Sequence, residues 1–167
     1  MDNSMITRIA LMFLIATALP LGGADNPSKC PACSFTAVQQ PYESVLVAIV
    51  AGDLRAAKVE AAKLRAAAND EAQWAKRATG RGPELLKPWS AIAVSAAAIE
   101  RSESLAGARE AFADASAALR EAVKIAERDD LLVVYCPTVK RTWVQSKGKI
   151  TNPYQPARPH CGTPVPL

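Results

Sequence analysis

Two of the four cysteines and the lone histidine of this 167-residue chain lie in its last stretch, as Cys136, His160 and Cys161. Thiolate and imidazole are ligands for soft and borderline metal ions. Two thiols can instead close a disulfide. The same residues therefore offer two chemistries. One is a metal site made by Cys136, His160 and Cys161. The other is a Cys136–Cys161 disulfide, which closes a loop of about 25 residues and contributes on the order of 3 kcal/mol in the chain-entropy description. His160 and Cys161 are adjacent, so both reach one ion only if the backbone between them bends. The remaining pair, Cys30 and Cys33, has the Cys-x-x-Cys spacing. A redox motif of that kind needs a strand before it and a helix after it in a βαβ setting, and no such pattern follows. A local Cys30–Cys33 disulfide or a metal-capturing arm are the readings left. Four cysteines allow three pairings, and spacing alone does not choose among them.

Charge and composition narrow the function classes. From Leu131 onward the chain carries Lys140, Arg141, Lys147, Lys149 and Arg158 and no acid, within a net charge of +4. This one-signed tail works against a cation site by Coulomb repulsion, softened by salt. No basic helix and no interleaved aromatics point to nucleic acid. The single histidine has no identifiable orienting acid, so no triad-type catalytic set is assigned and the chain reads as a non-enzyme. Trp74, Trp89 and Trp143 read as packing residues, Trp89 lying on an apolar stripe.

Residues 1–24 carry the features of a secretory signal: Arg8, an apolar core from Ile9 to Leu19, and Gly22-Gly23-Ala24 before the expected cleavage. The apolar run is about 11 residues, against about 20 needed to cross a bilayer, so no stable membrane anchor is expected after cleavage. The sequence thus predicts a periplasmic or otherwise exported protein beginning at Asp25. Export to an oxidising compartment favours disulfides.

The elements that must position the tail chemistry are helical. Residues 25–40 read as an extended lead-in, and 41–167 as one domain. Pro41 suits a first helical turn, and Tyr42, Val45, Leu46 and Ile49 mark an apolar face. Gly52-Asp53 ends that helix and caps the next, whose stripe is Leu54, Ala57, Ala61, Leu64 and Ala68. The run Thr79-Gly80-Arg81-Gly82-Pro83 is a loop signal. Leu85, Trp89, Ile92, Ala96 and Ile99 form a third stripe. Ser102-Glu103-Ser104 suggests a turn and a cap, and a fourth stripe follows through Leu105, Ala108, Phe112, Ala115, Leu119, Ala122 and Ala126. Four amphipathic segments with short connections predict a mainly α, antiparallel four-helix bundle. Beyond the turn at Asp129-Asp130, Leu131 to Tyr135 and Thr142-Trp143-Val144 predict a small C-terminal β-hairpin. A proline-rich tail follows, through Pro153, Pro156, Pro159, Pro164 and Pro166.

The order Tyr135-Cys136-Pro137, Trp143-Val144-Gln145, Asn152-Pro153-Tyr154, Cys161-Gly162, preceded by Arg109, Phe112 and Ser116, resembles a bacterial exported domain of unknown function. That domain occurs alone and also fused to the periplasmic adaptors of copper and silver efflux systems. The resemblance covers about residues 42–162, and its specific part is the cysteine-bearing order. It implies copper as the cofactor and heavy-metal efflux components as partners. It supplies no catalytic residues. This chain departs from the pattern where the family has methionines: Thr138 follows Cys136-Pro137, and Arg158-Pro159-His160 precedes Cys161-Gly162. Thioethers are the ligands best suited to Cu(I) in an oxidising compartment. Two functions therefore stand open: an exported, non-catalytic accessory in copper-like metal handling, or a structural and protein-interaction module whose cysteines serve only as disulfides.

Overall fold

Apolar residues recur at three- and four-residue steps from Phe35 to Ile125, and each uninterrupted recurrence is a helix. The computed structural model describes residues 31–166, with side chains from Phe35 onward. The expected signal at 1–24, Cys30 and the Cys33 side chain lie outside those residues. The helices are α1 (Pro31–Ala51), α2 (Leu54–Ala75), α3 (Leu86–Arg101) and α4 (Leu105–Ile125), with one 3-10 turn at Gly82–Leu85. The fold is mainly α, as the periodicity predicts. Among the described residues no helix is long and apolar enough to cross a membrane.

The breaks have local causes. Gly52 takes φ +76 after α1, a left-handed stop that costs other residues more. Asp53 then caps α2, its carboxylate accepting from the Ala56 N–H at 2.8 Å. Ser104 caps α4 in the same way, accepting from the Gly107 N–H at 3.1 Å.

The first helix starts earlier than the sequence reading placed it. Residues 31–40 are helical rather than extended, and Pro41 sits inside α1 rather than in its first turn. The reason lies in packing. Phe35 and Val38 precede Tyr42 by seven and four residues, fall on the same stripe and are fully buried. Phe35 meets the Trp89 ring edge-on at 5.2 Å, and the Arg128 guanidinium lies 4.8 Å from its centroid. Burying two such side chains contributes about 1.5–3 kcal/mol each. That offsets the roughly 3 kcal/mol that an interior proline costs.

Sequential helices pack on one another: α1 on α2, α2 on α3 and α3 on α4. Alanines dominate the buried face of α2, at Ala57, Ala61, Ala68, Ala72 and Ala75, which lets neighbouring backbones approach closely. The seam between α1 and α4 is closed differently. A three-stranded antiparallel sheet of order β2-β1-β3 lies there, with β1 at Leu131–Cys136, β2 at Arg141–Ser146 and β3 at Thr163–Val165. β1 and β2 form the expected hairpin, and β2 packs on α4.

A buried hydroxyl chain ties the three parts together. The Tyr42 hydroxyl of α1 lies 2.7 Å from Ser116 Oγ of α4 and accepts from the Val144 N–H of β2 at 3.3 Å. Ser116 donates to the Phe112 carbonyl at 2.8 Å. Burial, reinforced by the nearby Tyr154, raises the Tyr42 phenol far above its ordinary pKa, so it stays a neutral hydrogen-bonding group. Tyr42→Phe keeps the ring and strands the partners of its oxygen. We expect a loss of about 1–3 kcal/mol in urea unfolding. A loss under about 0.5 kcal/mol would show that the chain of hydroxyls does not hold the sheet to the bundle.

Candidate functional site

Strand register brings the two tail cysteines together. Cys136 ends β1. The β1–β3 register pairs Tyr135 with Thr163, so Gly162 falls opposite Cys136 and Cys161 lies diagonally beside it. Their sulfurs are 2.9 Å apart, both as thiols. Thr138 Oγ1 is 3.8 Å from the Cys161 sulfur. Cys136 is fully buried, whereas Cys161 is partly exposed.

The rest of the cysteine-bearing pattern is what holds this approach in place. Asn152 is buried and works in three directions. Its amide donates to the Cys161 carbonyl at 2.6 Å, its oxygen accepts from the Tyr154 N–H at 2.8 Å, and its own N–H donates to the Pro159 carbonyl at 2.7 Å. The Cys161 N–H donates to the Arg158 carbonyl at 3.0 Å. Tyr154 packs against Phe112 and Trp143, with its hydroxyl 3.2 Å from Ser116. Arg109 reaches from α4 to donate to the Pro153 carbonyl at 3.1 Å. In β2, the Gln145 side chain accepts from Trp143 Nε1 and the Thr151 N–H, and donates to the Lys149 carbonyl. Trp89 and Trp143 are fully buried, in keeping with a packing role. Trp143-Val144-Gln145 and Asn152-Pro153-Tyr154 thus act as a clasp on the tail.

Gly162 completes the clasp. A Cβ there would lie 2.7 Å from Val134 Cγ1 and 2.8 Å from Trp143 Cη2, and its φ of +156 disfavours other residues. The backbone at residue 162 lies directly on those two buried side chains, and that closeness seats Cys161 over Cys136.

The two thiols differ in acidity. Burial alone would raise the Cys136 thiol. Hydrogen bonds from Cys161, from the Val139 and Thr138 backbone N–H groups and from Asn152 outweigh it, and hold it below the ordinary thiol value. Cys161 moves the other way, above that value, chiefly through its hydrogen bond with Cys136.

His160, the third residue of the expected metal set, faces elsewhere. Its Nδ1 donates to the Ile150 carbonyl at 2.8 Å. Among the described residues, no three His, Cys, Asp or Glu side chains are placed to hold one metal ion. The ligand set Cys136, His160 and Cys161 therefore reduces to its two sulfurs. The bend between residues 160 and 161 turns the imidazole toward the loop before Asn152 while the thiol turns inward. Sequence reading also missed β3. A three-residue strand, Thr-Pro-Val, offers too little alternation to register as one.

Set beside known proteins, the chain matches no family model, no curated protein and no solved structure.

Proposed function

We propose that this chain is an exported, non-catalytic interaction module whose Cys136–Cys161 pair closes as a disulfide, locking the C-terminal tail onto the helical bundle. The 2.9 Å sulfur–sulfur approach carries this reading. A disulfide needs the sulfurs about 2.05 Å apart, a movement of less than 1 Å. Two thiols lose two protons and two electrons to a disulfide-bearing oxidant, and the compartment expected for an exported chain supplies that class of oxidant. One tetrahedral ion with bonds of about 2.3 Å would instead spread two thiolates to about 3.8 Å and still require two further ligands.

A second reading keeps the pair as a soft-metal site serving heavy-metal efflux components, with copper as the ion. The hydrogen bonds that support a Cys136 thiolate favour it, since thiolate is the ligating form. One experiment separates the two. In protein isolated without reductant, mass spectrometry of non-reduced digests is expected to link the Cys136 and Cys161 peptides. Cys136→Ser is then expected to lower stability by about 3 kcal/mol, with or without added metal. Free thiols as isolated, together with a melting temperature that rises on adding Cu(I), would decide for the metal.

A further inference from the structure

We infer that the groove between α4 and the β1–β2 hairpin is a binding site for a multiply charged anion of phosphate chemistry. The groove is an open surface cleft of about 470 Å³, within the range of small-molecule sites. One wall is a single face of α4, where Ala113, Ala117, Arg120 and Lys124 follow at helical spacing. The other wall is the start of β2 and the turn before it, with Lys140, Arg141 and Thr142. Four cations thus face one space. Glu121 also lines it, and Arg141 pairs at 2.5 Å with Glu110, which lines a neighbouring cleft. Arg120, Lys124 and Lys140 form no ion pair among the described residues. Where larger side chains would fill the space between helix and hairpin, α4 carries alanines, so an anion can approach the helix wall.

Lys140 is the last residue of the β1–β2 turn. It holds φ +53, a left-handed conformation that glycine or asparagine occupies at little cost and a lysine does not. The turn between Cys136 and Arg141 sets that conformation, and it places the Lys140 side chain on the groove. The guanidinium fork of Arg120, unpaired among the described residues, and two ammonium groups around a compact volume, with Arg141 shared with Glu110, match dense, multidentate negative charge better than an extended acidic peptide. Such a phosphate-type group could belong to a soluble oligophosphate or to a lipid headgroup.

The test titrates the full chain with inorganic pyrophosphate at about 50 mM salt, read by amide chemical shifts. The expected result is a saturable shift centred on Ala117, Arg120, Lys140 and Thr142. The dissociation constant should rise at least tenfold in Arg120→Ala/Lys124→Ala and stay unchanged in Lys87→Ala, an exposed lysine on α3. Lys140→Gly should weaken binding several-fold while raising the melting temperature, because glycine relieves the φ strain. This result cannot be mistaken for misfolding. Co-sedimentation with vesicles of phosphatidylglycerol, against phosphatidylcholine alone, assigns the source. Sedimentation lost in the double variant points to a headgroup, and pyrophosphate binding without sedimentation points to a soluble anion. The inference is overturned if pyrophosphate shifts spread over cations across the whole surface, if Lys87→Ala loses as much as the double variant, or if neither probe binds.

Discussion

Phe112→Ala is expected to destabilise the protein by about 3–5 kcal/mol, the range for a large aromatic removed from a full core. Phe112 is completely buried on α4 and stacks on Tyr42 of α1, with ring centroids 4.8 Å apart and 24° between planes. Tyr154 of the tail also packs against it, with ring centroids 6.2 Å apart. One ring therefore supports the α1–α4 seam and the clasp together. Its loss leaves a cavity that a bundle rich in alanine has few long side chains to fill. Chemical denaturation measures the loss, and Phe112→Leu, which keeps most of the volume, is expected to recover much of it. A loss below about 0.5 kcal/mol for the alanine variant would mean that the last helical stripe does not face the core.

Gly162→Ala is expected to cost about 2–4 kcal/mol and to separate the two thiols. The added methyl meets Val134 and Trp143 side chains inside 3 Å, and both are fully buried. Overpacking of this kind costs about 1–3 kcal/mol, and the unfavourable φ adds to it. The cheapest relief is for the chain at residues 161–165 to lift off the sheet, which carries Cys161 away from Cys136. Two readouts check this: unfolding in urea, and the fraction of linked Cys136–Cys161 peptide in non-reduced digests. A variant that keeps both wild-type stability and full linkage would remove Gly162 as the residue that seats Cys161.

The contrast between Pro41 and Ser104 shows where sequence reading reaches its limit. Ser104 is read correctly as a cap, because the cap and the N–H it serves lie three residues apart and the energetics are local. Pro41 is misread as a helix start, because the burial that outweighs its local cost comes from Phe35 against Trp89, an element distant in the chain. The hairpin is legible from its two runs of large and β-branched residues. The third strand is not, because its partner strand and the Gly162 contact specify it more than its own side chains do.

The stripes, breaks and caps of four helices, the hairpin that follows them and the concentration of thiol and imidazole in an acid-free tail are properties of the sequence by itself. Each rests on spacing within a few residues, where backbone geometry turns period into surface. Only the tertiary structure decided that Cys136 and Cys161 meet, that His160 turns to the Ile150 carbonyl instead, and that Arg120 and Lys124 share a groove with Lys140 and Arg141. Those juxtapositions depend on strand register and on side chains packed across tens of residues. A shift of one residue in the β1–β3 register would send the chain's side chains to opposite faces and undo the cysteine pair without altering a single local propensity.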